Sequence, residues 1–306
     1  MIRLRRLAPG DRVALVAPAS SFSREEVDAG VAELSRLGLH AVYDPSIFDK
    51  ERFVAGSVQT RVDAIHKAWA DPGVAALIAM RGGYGSAQLL PLLDCKLLRS
   101  SCKPLIGYSD ITALLSLYLR NGLTAIHGPM VDRRLSKGPD GYDEDSFRRV
   151  VMTAAPAGDL RPERLEALHP GSATGVLVGG TLTQLMASMG TPWAFEAPAD
   201  CVLFLEDIGE RPYRIHRLLT QAAQAGVFAN ARAIVFGEFP SCDEPGGDPA
   251  IKDVLREFTA GFHGPVLFNF PSGHTAGPTW TLPFGVKAEV TSGAASVLRI
   301  LEAAVQ

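Results

Sequence analysis

Short apolar runs alternate along this chain with stretches whose apolar residues return every three or four positions, the patterns of buried strands and amphipathic helices. The first run is Arg12 to Ala17 (RVALVA), closed by Pro18. Ser23 and Glu26 then form an S-x-x-E capping box ahead of Val27, Val31, Leu34 and Leu37, one face of a helix that Gly38 ends. His40 to Tyr43 predicts a second strand, Val62, Ile65 and Trp69 a second helix, and Ala75 to Met80 a third strand. This alternation predicts an α/β fold with a parallel sheet covered by helices. A helix carrying Leu89, Leu90 and Leu93, a buried strand at Pro104 to Gly107, a helix with Ile111, Leu114, Leu115 and Tyr118, a strand at Leu123 to His127 and a helix around Phe147 to Met152 continue the pattern.

Residues 154–172, dense in Pro, Gly and charge, read as a linker, which predicts domains over 1–153 and 173–306. In the second half, strands are expected at Gly175 to Val178, Cys201 to Leu205, Ala233 to Phe236, Pro265 to Phe270, Leu282 to Val290 and Ser296 to Leu301. Helices open after Gly179-Gly180-Thr181, at Pro212 and over Ile251 to Phe258; Met186 and Met189 read as core filling.

Several polar residues stand just beyond these strands, where ligands bind in open α/β sheets. Ser109 follows Gly107-Tyr108 at a strand-to-helix corner, as in a nucleophile elbow that lacks its second glycine; a helix cap is the competing role. Arg81-Gly82-Gly83-Tyr84-Gly85-Ser86 follows the third strand and reads as an oxyanion loop, a weak phosphate loop or a plain turn. In the first of these readings the Gly83 and Asp110 backbone N–H groups are the donors. Glu206-Asp207 ends one strand, either as chemistry or as charge complementing a helix dipole, and His274 follows another. A nucleophilic serine needs a base, and that base needs an acceptor. Ser109, Glu206 and His274 meet both needs in the chain order of one class of hydrolases; His127, also at a strand end, competes for the base.

Composition removes some functions. A net charge of −3 and a pI near 6.2 leave no footprint for nucleic acid. Met1 to Arg6 is basic, but Leu7 to Arg12 carries Pro, Gly and charge where a signal peptide has its apolar region, and no apolar run is long enough to span a bilayer. The four scattered cysteines fit reduced thiols and a cytoplasmic setting. No H-E-x-x-H or similar cluster calls for a metal, and no organic cofactor is expected.

GDRVALVAPAS at Gly10 to Ser20, RGGYG at Arg81 to Gly85, IGYSD at Ile106 to Asp110, HGPM at His127 to Met130, LEDIGERPYRIHRLL at Leu205 to Leu219, and PSGHT with LPFGV at Pro271 to Val286 together resemble the LD-carboxypeptidase family of serine peptidases. That family also includes the microcin C self-immunity peptidases. The resemblance implies a flavodoxin-like N-terminal domain supplying the nucleophile Ser109 and a smaller, swivelling β/α C-terminal domain supplying Glu206 and His274. It places the oxyanion donors on the Gly83 and Asp110 backbone, with Asp207 and Glu210 in support, and implies a homodimer. The implied substrate is murein tetrapeptide, cut between an L-centre of its diamino acid and terminal D-alanine during cell-wall recycling in the cytoplasm. Arg81 is the candidate clamp for the substrate carboxylate, with a structural ion pair as its alternative. Two positions depart from the family pattern: Thr181 stands where Asn is expected, altering a helix cap, and His216 where Asp is, altering a surface or interface contact. A microcin C-type peptidase would carry an aromatic insertion to stack on a base, and only Trp69, Trp193 and Trp280 are present as tryptophans. A non-catalytic anion binder and a phosphate-handling enzyme remain as rivals of other classes.

Overall fold

The computed structural model describes residues 1–306, which divide into two compact units. The first comprises Met1–Pro156, Gly277–Gly285 and Ala303–Gln306. Its strands β1 (Arg12–Val16), β2 (His40–Val42), β3 (Val74–Ala79), β4 (Leu105–Gly107) and β5 (Ala125–His127) are parallel, in the order β2-β1-β3-β4-β5. This is the flavodoxin-like order, as expected. Every residue of β3 is buried, as a strand covered on both faces requires.

Helices α1 (Arg24–Arg36) and α2 (Val58–Ala70) start at Ser23 and Ser57, whose hydroxyls accept the Glu26 and Thr60 N–H groups. The expected helix after the glycine loop is instead a 3-10 stretch over Ser86–Leu92. Pro91 lies inside it and supplies no N–H, and the next α-helix, α3 (Cys95–Ser101), is capped by Asp94. Helices α4 (Thr112–Arg120) and α5 (Glu144–Val151) complete this unit's helices.

The second unit comprises Ala157–Ala276 and Val286–Glu302. The stretch 154–172 differs from the expected linker, because it contains β6 (Gly158–Leu160) and β7 (Glu166–His169), the two outermost strands of an eight-stranded sheet. Edge strands tolerate such Pro-rich flanks. The sheet's centre is parallel: β8 (Gly171–Thr181), β9 (Cys201–Glu206), β10 (Ala231–Gly237) and β11 (Val266–Phe270) lie side by side. Helices α6 (Leu182–Ala187), α7 (Pro212–Gln224) and α8 (Ile251–Phe258) connect them, and Pro212 occupies the first turn of α7.

The run Leu282 to Val290 is not one strand. Gly285, at φ +86°, divides it into β12 (Leu282–Phe284), antiparallel to β5 in the first sheet, and β13 (Lys287–Ser292), antiparallel to β8 in the second. β13 then pairs with β14 (Val297–Ile300). The second unit is therefore discontinuous in sequence. No helix is long and apolar enough to cross a membrane.

Gly179 shows how tightly β8 and β9 approach. It has φ +139°, and a Cβ there would fall 1.8 Å from the Phe204 carbonyl oxygen. Gly226 also has positive φ, +78°, but a Cβ there would meet nothing within 4 Å. Gly226→Ala is expected to cost about 1–2 kcal/mol, the conformational penalty alone. Gly179→Ala should cost at least about 3 kcal/mol more, or abolish soluble expression, because backbone must move. Thermal unfolding of the two variants checks this, and equal losses would show that the close approach is unimportant.

Candidate active site

β4 ends at Gly107 and the chain turns at once. Tyr108 is extended, Ser109 has φ +61°, and a 3-10 turn over Ser109–Ile111 leads into α4. A non-glycine residue at positive φ costs about 1–3 kcal/mol and persists only where its surroundings impose it. Here two glycines make the turn sterically feasible: a Cβ on Gly107 would lie 2.9 Å from Ile111 Cγ2, and one on Gly82 would lie 2.7 Å from Ser109 Cβ. The Ser109 side chain caps neither the 3-10 turn nor α4, so capping does not explain its placement.

The loop after β3 is braced from both ends. Ser20, beyond β1, donates its N–H to the Gly82 carbonyl at 3.1 Å, and its hydroxyl accepts the Tyr84 N–H at 3.1 Å. Gly83 sits between those bonds at φ +94°. On the far side, the Asp110 carboxylate accepts the Ser86 N–H at 2.7 Å, while the Ser86 hydroxyl donates to the Asp110 carbonyl at 2.5 Å. Burial pushes the Asp110 carboxyl up, opposed by these bonds and one from the Gly85 backbone. Buried Arg61 adds bonds to the Pro18 and Gly85 carbonyls at 2.9 and 3.0 Å. The amide N–H groups of Gly83 and Asp110 find no acceptor within the chain. One follows Ser109 in sequence and the other follows Gly82, which touches Ser109, so both are suited to a developing oxyanion. The bracing roles of Ser20, Ser86 and the Asp110 side chain escaped the sequence reading, because each joins loops from different strands.

Arg81 forms the ion pair of its alternative reading. Its Nε lies 3.2 Å from Asp132 Oδ2, and Nη1 donates to the Ser21 carbonyl at 3.2 Å. A substrate carboxylate would have to share this guanidinium with Asp132. His127 is fully buried, its ring centroid 6.0 Å from that of Tyr108 and 5.3 Å from that of Phe284.

In the second unit, Glu206 is the last residue of β9 and its side chain is inaccessible to solvent. Its Oε2 accepts two bonds from His274, the backbone N–H at 3.0 Å and ring Nδ1 at 2.8 Å. A carboxylate accepting from Nδ1–H makes Nε2 the basic nitrogen of the neutral ring. Gly237 allows this reach, since a Cβ there would lie 2.6 Å from Glu206 Cβ. Thr181 makes no helix-cap hydrogen bond; its hydroxyl donates to Glu206 Oε1. The expected alteration of a cap at this position is therefore replaced by a bond to the carboxylate. Glu210 pairs with Arg214 at 3.4 Å, and His216 lies exposed on α7 with its ring 6.1 Å from that of Phe258. The structure thus brings together Ser109, Asp110 and the glycine loop in one unit, and Glu206 and His274 in the other.

Asp207 is a second buried carboxyl, accepting the N–H and hydroxyl of Thr183 at 2.8 and 2.6 Å and its neighbour Ile208 N–H at 2.9 Å. Burial, then the adjacent Glu206 charge, push it up to about 6. The folded chain therefore holds this proton more tightly than the unfolded chain between the ordinary value of 3.8 and about 6. That contribution to stability is complete below this window and is lost as pH rises through it. Asp207→Asn should flatten this dependence, so that wild type loses roughly 3 °C or more of Tm against the variant between pH 4 and 7. Parallel melting curves across that range would refute the assignment.

The model of the LD-carboxypeptidase N-terminal domain matches residues 13–128, and that of the C-terminal domain matches residues 174–290. A murein tetrapeptide carboxypeptidase of Pseudomonas aeruginosa is 35% identical over 272 residues, covering 87% of this chain and 88% of that protein. The Escherichia coli microcin C7 self-immunity protein MccF is 28% identical over 316 residues, covering 93% and 91%. The crystal structure of a muramoyltetrapeptide carboxypeptidase from Oxalobacter formigenes superposes with a TM-score of 0.82 at 28% identity, covering 95% of this chain and 99% of that one. Two domain models matched in order, and a relative at 35% identity along most of both chains, establish that this chain belongs to the LD-carboxypeptidase family of peptidases.

Proposed function

We propose that this chain is a serine-type LD-carboxypeptidase that removes terminal D-alanine from murein tetrapeptide in the cytoplasm, during cell-wall recycling. The observation that carries this reading is the couple of a solvent-inaccessible Glu206 carboxylate with His274 Nδ1, which prepares the opposite ring nitrogen to take a proton. The strained turn at Ser109 and the unspent Gly83 and Asp110 amides support it.

In the first step, His274 Nε2 takes the Ser109 hydroxyl proton as Oγ attacks the carbonyl carbon of the scissile peptide. The carbonyl π electrons move to oxygen, where the Gly83 and Asp110 N–H groups receive the charge. Collapse breaks the C–N bond, and His274 returns its proton to the leaving amine of D-alanine. Water then attacks the acyl-Ser109 ester, giving its proton to His274; the second collapse releases the shortened peptide and reprotonates Ser109. Glu206 holds the imidazole and balances its charge in each step.

The relative named as a murein tetrapeptide carboxypeptidase, at 35% identity, favours the peptide substrate over the aminoacyl-nucleotide analogues of a microcin C-type peptidase, whose named relative stands at 28%. D-alanine release from murein tetrapeptide is the deciding assay. Wild type should release it, and Ser109→Ala should lower kcat by about 10⁴-fold or more. A fluorophosphonate should label wild type, with labelling lost in Ser109→Ala and strongly slowed in His274→Ala. Undiminished release by Ser109→Ala would end the serine mechanism. Labelling without D-alanine release, accompanied by hydrolysis of an aminoacyl sulfamoyl nucleoside, would replace the substrate but keep the machinery.

A further inference from the structure

Thr181 closes β8 directly opposite Glu206 in the parallel ladder and is 4% exposed. Its hydroxyl donates to Glu206 Oε1, whereas both His274 bonds fall on Oε2. The terminal torsion of a glutamate is soft, with a broad two-fold profile in place of sharp wells. A carboxylate held at one oxygen alone can therefore pivot about it and swing its lone pairs away from Nδ1. We propose that Thr181 is a positioning residue that locks the Glu206 carboxylate plane by holding Oε1, reserving Oε2 for His274; this rests on the reading of Glu206 and His274 as carboxylate and base.

The neighbouring residues show why the donor is placed here. Glu206 and Asp207 are consecutive buried carboxyls, and each could compete for the other's hydrogen bonds. The segment Thr181-Leu182-Thr183 answers with donors two residues apart. Thr181 serves Glu206, while Thr183 serves Asp207 through both its N–H and its hydroxyl. Leu182 between them points into the core, fully buried. The Thr-x-Thr spacing at the end of β8 thus matches the Glu-Asp pair at the end of β9, one hydroxyl to each carboxylate. Asp207 faces Glu206 from its own strand end, while His274 reaches Glu206 from the loop after β11.

Removing the Thr181 hydroxyl has two consequences that act in one direction. Glu206 loses a donor that favours its charged form, so its proton affinity rises. While it remains ionised, the freed carboxylate pivots off Nδ1 and holds a proton on His274 less strongly. Both effects lower the proton affinity of His274 and move the acid limb of kcat/KM to lower pH.

The test uses the full chain with Thr181→Val, which keeps the shape without the hydroxyl, Thr181→Ala as a second hydroxyl-free variant, and Thr181→Ser. Val and Ala should lower kcat for D-alanine release by about tenfold with little change in KM, the scale of one hydrogen bond to a charged group. They should also shift the acid limb downward, and Ser should restore both. Proton NMR titration of the His274 imidazole reports on the contact without reference to any substrate, and its midpoint should fall in Val and Ala and return in Ser. If Ser109→Ala keeps D-alanine release, the catalytic reading fails while the imidazole titration still judges Thr181. Val and Ala variants with the wild-type His274 titration, or a Ser variant that behaves like Val, would overturn the proposal.

Discussion

A carboxylate with no contact to water stays ionised only where the protein supplies the hydrogen bonds that water would have made, and the second unit is arranged around that demand at Glu206. Three separate pieces of chain answer it. β8 ends in Thr181, β9 delivers Glu206 itself, and the loop after β11 brings both the backbone and the ring of His274. Adjacent strands lie about 4.8 Å apart, so a side chain on β9 must span the width of β10 to meet a residue beyond β11. Gly237 at the end of β10 leaves that path open, where any larger residue would strike the Glu206 Cβ. The Glu206–His274 couple is a product of strand order.

The first unit meets the opposite problem, holding a small hydroxyl where the backbone does not want to be. Ser109 is kept at positive φ by a turn that works because Gly107 and Gly82 remove the side chains that would collide with it. Ser20 and the Asp110 side chain then tie the glycine loop to this turn from two directions. Their bonds use the amides of Tyr84 and Ser86, and the amides of Gly83 and Asp110 are left over. The amides proposed as oxyanion donors are the ones that remain after the loop has satisfied itself.

The parallel sheet was legible because buried strands leave contiguous apolar runs, and α1, α7 and α8 were legible because caps, Pro212 and apolar periodicity are local signals. Ser109, Glu206 and His274 could each be picked out, since a polar residue just past such a run is conspicuous. Legibility stopped where structure depends on distant pairing. β6 and β7 look like linker because edge strands need little apolar sequence, and β12 and β13 look like one strand because a single glycine sends the chain from one sheet to the other. Thr181 read as a helix cap for the same reason: its partner lies 25 positions away, and no local pattern announces it.

That contrast bears on how substitutions in this family should be read. Thr181, where the resemblance predicts Asn, places a hydroxyl donor at the end of β8. A hydroxyl on a β-branched residue has few rotamers and a short reach, so it suits a fixed acceptor directly across the ladder. An amide is longer and offers both donors and an acceptor, so it can extend past the carboxylate. The exchange therefore trades reach for rigidity at a position that holds one carboxylate oxygen in this chain. In the folded protein the Thr181 hydroxyl answers the Glu206 carboxylate directly across the ladder.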